Sequence, residues 1–138
     1  MLVEDNPSDE KLTLLAFRRC TVPHELVVLR DGQQALEHLL GTDAAQQRPE
    51  LVLLDLKLPR VDGFEVLRRV RSDVAGKLLP VVILSASAER EDIERCYALG
   101  ANGYVRKPID FVEFSSAVQT LGEFWLRWNE CVPPTRAP

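Results

Sequence analysis

Five polar residues stand where short apolar runs stop. Glu4 and Asp5 close the run Met1 to Val3, Asp55 closes Leu51 to Leu54, Ser85 closes Val81 to Leu84, and Lys107 follows Tyr104 and Val105. Three carboxylates packed together repel one another, and a hard divalent cation with oxygen ligands offsets that repulsion. Mg²⁺ takes one or two carboxylates and keeps several waters. A lysine beside them pairs with a carboxylate or holds a phosphoryl oxygen as a point charge, and a serine hydroxyl donates to another such oxygen. Acids, hydroxyl and lysine together are what phosphoryl transfer to a carboxylate requires. Taken singly, each has a plainer reading: acids favour helix starts, and serine or lysine at a strand end is ordinary turn chemistry. Asp55 is the exception, since a carboxylate after four buried apolar residues must face a pocket or pay for its burial.

The chemistry therefore depends on elements that bring these five together. The apolar runs, with Leu26 to Leu29 as the second, are short and rich in Val, Leu and Ile, as strands buried on both faces are. Helical stripes lie between them: Leu12, Leu15 and Ala16; Leu36, Leu39 and Leu40; Val66, Leu67 and Val70; Ile93, Cys96 and Tyr97; and the longest, Phe114 through Val118 and Leu121 to Trp125 and Trp128. Asn6 before Pro7 starts the first helix. Asp31 with Gln34, Asp62 with Glu65 and Asp110 with Glu113 have capping-box spacing, and Gly100 is a helix stop. Strand and helix alternate five times, which predicts an α/β flavodoxin-like fold: a doubly wound five-stranded parallel sheet with five helices. Ligands of such sheets bind beyond the carboxyl ends of the strands. In the strand order 2-1-3-4-5, strands one and three are neighbours, and Glu4, Asp5 and Asp55 converge. Only three residues precede Glu4, so either residues are missing upstream or the first strand is short.

Composition narrows the function classes. A chain of 138 residues with 46% hydrophobic and 28% charged residues is a single globular domain in scale. Seventeen basic against twenty-one acidic residues, a net charge of −4, argue against direct nucleic-acid binding. Three cysteines without CxxC spacing and two histidines, His24 and His38, suggest neither a disulfide framework nor a zinc site. No apolar stretch approaches the roughly 20 residues of a membrane span, and the first residues are not a signal peptide, so a cytoplasmic protein is expected.

The four motifs together resemble the receiver domain of two-component response regulators over residues 1–125. They are the acidic pair in LVEDN, Asp55 in LVLLDLKLPRVDG, Ser85 in VVILSAS, and Lys107-Pro108 in GANGYVRKP. The resemblance implies that Asp55 accepts a phosphoryl group from a histidine kinase. It implies Mg²⁺ bound directly by Asp5, Asp55 and the main-chain carbonyl of Lys57, with Glu4 acting through water. Ser85 and Lys107 would grip the phosphoryl group, Ser85 and Tyr104 would form the switch, and a cis peptide bond would precede Pro108. Lys57 stands where many relatives carry Asn, which leaves carbonyl ligation intact and places a cation beside the phosphoryl site. Phe124-Trp125 followed by a proline-bearing tail is similar to single-domain regulators that partner bacterial phytochromes.

Two other classes fit less well. An aspartyl-nucleophile phosphohydrolase carries a second Asp two residues on, where this chain has Lys57. A flavodoxin-like nucleotide binder needs a glycine- or hydroxyl-rich loop after the first strand, where this chain has Glu4-Asp5-Asn6-Pro7. The expected organisation is a receiver unit over 1–129 and a tail over 130–138, too short for an output domain, so the expectation is output by protein contact or a role as an intermediate phosphate carrier. The last stripe outruns what a short strand covers, and Tyr97, Phe124, Trp125 and Trp128 are expected to form a homodimer interface.

Overall fold

The computed structural model describes residues 1–133. Five strands, β1 (Leu2–Val3), β2 (Val28–Leu29), β3 (Val52–Leu54), β4 (Val81–Ser85) and β5 (Gly103–Arg106), form one sheet in the order β2-β1-β3-β4-β5, every neighbouring pair parallel. Five helices alternate with them: α1 (Pro7–Arg18), α2 (Gly32–Leu40), α3 (Gly63–Ser72), α4 (Arg90–Ala98) and α5 (Phe111–Glu123). Strand alternation explains the two cores. Val3, Leu54 and Ile83 face α2, α3 and α4, packing on Leu36, Val66, Leu67, Val70 and Cys96. Leu2, Leu53, Val82 and Leu84 face α1 and α5, packing on Ala16, Phe17, Phe114 and Val118. Phe17, rather than the expected Leu15, carries the buried face of α1, and Leu15 is turned to solvent.

Helix starts follow the capping chemistry. Asn6 Oδ1 accepts from the Ser8 and Asp9 amides, with Pro7 as the first helical residue. Asp31, Asp62 and Asp110 accept from Gln34, Glu65 and Glu113. Gly100, at φ 98°, ends the α4 turn in the left-handed region that glycine alone adopts freely.

The last helix departs from expectation. After Glu123 the chain widens into a π turn over Phe124–Trp128, closed by the Asn129 amide on the Phe124 carbonyl at 2.8 Å. A wider turn rotates less per residue, so Trp125 and Trp128 no longer share a face. Trp125 packs on the α1/α5 core and is half-buried, while Trp128 is 72% exposed. Trp125 therefore belongs to the domain's own interior rather than to the expected outer aromatic surface. Of the tail, residues 134–138 lie outside the described residues.

Candidate functional site

Parallel register places the acids. Val3 pairs with Leu54, so one step further Glu4 and Asp55 leave neighbouring strands at the carboxyl edge of the sheet. There a carboxylate oxygen from each of Glu4, Asp5 and Asp55 lies within 4.8 Å of the others. Glu4 and Asp55 are buried and Asp5 is exposed. Main-chain donors orient the buried pair: the Asn6 amide donates to Glu4 Oε1 at 3.1 Å, and the Leu56 amide to Asp55 Oδ1 at 2.7 Å. Gly63 lets α3 start against this edge. A Cβ there would lie 2.2 Å from the Asp55 carbonyl oxygen. Arg60, in the loop between, has φ 66°, a conformation few non-glycine residues adopt.

Lys107 reaches the acids from β5. Its amide donates to the Ser85 carbonyl at 2.7 Å, and its ammonium donates to Glu4 Oε2 at 2.7 Å, Asp9 Oδ2 at 2.9 Å and Asp55 Oδ2 at 3.0 Å. All three N–H donors of the ammonium are thereby engaged. Burial pushes the Glu4 carboxyl up to about 7, against the hydrogen bond from Lys107 and with the Asp55 charge adding to the rise. Burial also disfavours the Lys107 ammonium, but the hydrogen bonds to Asp9 and Glu4 and the charge of Asp55 outweigh it and raise its pKa above that of an ordinary lysine. The peptide bond before Pro108 is trans, not cis as the resemblance implied. Trans is the lower-energy isomer of an X-Pro bond, and Lys107 reaches all three carboxylates from it.

Ser85 ends β4 at the same edge of the sheet, and its hydroxyl accepts from the Ser87 amide at 3.2 Å. The half-buried Tyr104 donates its hydroxyl to the Ser87 carbonyl at 2.8 Å. Burial raises its phenol pKa, partly offset by hydrogen bonding to the serines. Ser87 also donates to Asp92 Oδ2 at 2.6 Å, which ties the β4–α4 loop to α4. Lys57 is exposed in the loop after Asp55. Tyr97, Phe124 and Trp128 are exposed residues of α4 and the π turn, on elements that supply none of the acids or Lys107. Asp9 escaped the sequence reading. An acid in a first helical turn looks satisfied by the helix dipole, and nothing in its spacing announces a lysine 98 positions away.

Hard carboxylate oxygens from three residues at one edge fit a hard divalent cation, and the cluster can hold one. Asp55, oriented by a main-chain donor and flanked by an ammonium, presents a carboxylate nucleophile.

Comparison with known proteins agrees with that chemistry. A family model described as response regulator receiver domain matches residues 1–119. The chain is 38% identical over 135 residues to the probable methanogenesis regulatory protein FilR2 of Methanothrix harundinacea, covering 97% of this chain and 87% of that protein. It is 38% identical over 128 residues to response regulator Rcp1 of Synechocystis, covering 91% and 87%. The Mn²⁺-bound structure of Rcp1 superposes with a TM-score of 0.86 at 35% identity over 95% of this chain and 96% of that one. The phosphorylated cyanobacterial phytochrome response regulator RcpA superposes with a TM-score of 0.87 at 42% identity over 94% of each chain.

Proposed function

Because the chain belongs to the response regulator receiver domain family, we propose that Asp55 is its phosphoacceptor and that a histidine kinase is the donor. The names of its relatives point to a phytochrome-class kinase. Receiver domains are signalling proteins that work with histidine kinases, and phosphorylation on aspartate with Mg²⁺ is typical of them. The observation that carries the assignment is the Lys107 ammonium bridging Glu4 and Asp55 beside the acid cluster.

In this reading an Asp55 carboxylate oxygen attacks phosphorus. The O–P bond forms as the donor's P–N bond breaks, and the donor imidazole keeps the electron pair and takes up a proton. Asp5, Asp55 and the Lys57 carbonyl would hold Mg²⁺, with Glu4 acting through water, and the ion would supply charge neutralisation at the phosphoryl oxygens. Lys107 exchanges a carboxylate for a phosphoryl oxygen. Ser85 turns its hydroxyl from the Ser87 amide to another, and Tyr104 follows as the loop shifts. The chain is thus a phosphoacceptor that assists its own phosphorylation and dephosphorylation, not an enzyme acting on other substrates.

We read residues 1–129 as the receiver unit and 130–138 as a tail, and the output as protein contact. Tyr97, Phe124 and Trp128 are each half or more exposed, which supports a homodimer through that face. The net charge of −4 supports a role without direct nucleic-acid contact. None of the helices is long and apolar enough to cross a membrane among the described residues, and we read the protein as cytoplasmic.

Acetyl phosphate with Mg²⁺ tests the assignment. One hydroxylamine-labile phosphoryl group should appear, and borohydride trapping with peptide mapping should place it on Asp55. A label on any other residue overturns the reading.

A further inference from the structure

We propose that Asp9 is a positioning residue that holds Lys107 in place while the ammonium changes partners. The inference rests on the phosphoacceptor reading above and extends it to a residue of α1.

Lys107 has three carboxylate partners, and two of them have other work. Glu4 and Asp55 belong to the cluster that can hold a cation, and Asp55 is also the proposed acceptor. Asp9 lies outside that cluster. It stands on a helix, whereas Glu4 and Asp55 stand at strand ends. Its amide donates to the N-cap Asn6 Oδ1 at 3.1 Å, and its carbonyl accepts from the Thr13 hydroxyl one turn further along α1 at 2.8 Å. Its carboxylate, 29% exposed, meets Lys107 Nζ at 2.9 Å.

A cation entering between Glu4, Asp5 and Asp55 competes with the ammonium for Glu4 Oε2 and Asp55 Oδ2. With Asp9 present, Lys107 gives up those two oxygens and keeps a charged hydrogen bond on the helix side. Without Asp9, every remaining partner of Lys107 is one the cation needs. The ammonium then closes onto the cluster and blocks it. Asp9 thereby sets how readily the metal enters, through Lys107.

Removing an acid also weakens cation binding through simple loss of charge, so the test must separate the two. Mn²⁺ affinity, read from the free-ion EPR signal, is measured for wild type, Asp9→Asn, Lys107→Met and the double variant, with circular dichroism confirming each fold. Asp9→Asn should weaken Mn²⁺ binding about fivefold in the wild-type background and less than about twofold in the Lys107→Met background, the coupling expected of groups in direct contact. Phosphorylation by acetyl phosphate should shift to higher Mg²⁺, with the rate at saturating Mg²⁺ nearly retained. An equal Mn²⁺ effect in both backgrounds means a field effect of one charge and overturns the proposal. So does a loss confined to the saturating rate, which would mark a merely structural change. If wild type itself takes no phosphoryl group on Asp55, the underlying reading fails and this one with it. If wild type is phosphorylated there and the cycle shows no coupling, only the role of Asp9 fails.

Discussion

Two cations are drawn into this fold at opposite edges of the same sheet, and their surroundings differ in kind. Lys107, at the carboxyl edge, is wrapped by the carboxylates of Glu4, Asp9 and Asp55. Arg71, in the last turn of α3, donates to the carbonyls of Gly76, Leu79 and Gly100 at 2.6 to 2.8 Å and to Asn102 Oδ1 at 2.8 Å, close to where β4 and β5 begin. Asn102 Oδ1 also accepts from the Val81 amide. Charged partners raise the Lys107 pKa against burial; Arg71, with neutral oxygens around it, has its pKa lowered by burial. Carbonyls of the main chain cannot be exchanged without undoing a loop, so Arg71 is a staple. Side-chain carboxylates can turn to a metal or a phosphoryl group, so Lys107 is free to change partners. Whether a cation drawn into the fold serves stability or function here depends on whether its partners can leave.

The contrast is tested most severely by Asp55→Asn. It should abolish phosphoryl incorporation from acetyl phosphate while leaving the denaturation midpoint unchanged or higher. Three acids crowd one ammonium, and removing one relieves repulsion without stranding Lys107, which keeps Glu4 and Asp9. A clear loss of stability would mean that Lys107 depends on Asp55 as Arg71 depends on its carbonyls.

Lys107→Met comes next, in metal-free buffer. It leaves Glu4 buried beside Asp55 with no cation, and should destabilise the fold by about 3 kcal/mol near pH 8. The loss should shrink in acid. The Glu4 carboxyl, already raised to about 7 from 4.5 with Lys107 present, is protonated more readily in the folded state than in the unfolded one. A raised carboxyl pKa stabilises the fold below the unfolded value, and that contribution is lost as pH rises through the folded value. Without the ammonium the folded value rises further, so the window of falling stability extends upward from about 4.5 past 7. Urea unfolding at pH 5 and pH 8 checks this. A loss equal at both would put the effect in packing, not charge.

How much of this was readable beforehand follows from the range of each interaction. Caps such as Asp31 to Gln34 and Asp62 to Glu65 act over three residues, and the spacing alone names them. The five strand-end residues were found because a parallel sheet must place strand ends together, whatever the loops do. Asp9 and Arg71 were not legible, because each is an ordinary surface residue of an amphipathic helix until the distant loop it meets is in place. Trp125 was misplaced for a related reason. An α-helical period carries Trp125 and Trp128 to one face, and nothing local announces the π turn that separates them. Trans geometry before Pro108 lay with the commoner isomer and against the resemblance.

Arg71→Ala should destabilise by about 1–2 kcal/mol, since it takes the donor from the Leu79 and Gly100 carbonyls, while the Gly76 carbonyl keeps the Leu79 amide and Asn102 Oδ1 keeps the Val81 amide. Unlike the Lys107 change, this loss should be the same at pH 5 and pH 8, because none of those partners titrates. The folded fraction should take up phosphoryl at the wild-type rate. A pH-dependent loss, measured by the same urea titrations, would show that the two edges of the sheet are not as separate as their chemistry suggests.

The smallest effect should come from Asn102→Asp, which gives Arg71 one charged partner and so makes its surroundings resemble those of Lys107. The carboxylate can still accept from Arg71 and from the Val81 amide, so no hydrogen bond is lost. Asn102 is exposed, and an exposed pair contributes only about 0.2–1 kcal/mol, most of it at low ionic strength. Stability should therefore rise by less than about 1 kcal/mol in dilute buffer and return to the wild-type value at roughly 1 M salt, where the screening length falls to about 3 Å. Below the carboxyl's own pKa the gain should vanish, because the protonated acid offers Arg71 only a neutral oxygen. Thermal melts across salt and pH read all three. If the variant instead loses stability in dilute buffer, the Arg71 site is specific for neutral acceptors, and the difference between the two cations is one of enforced geometry rather than of which partners can leave.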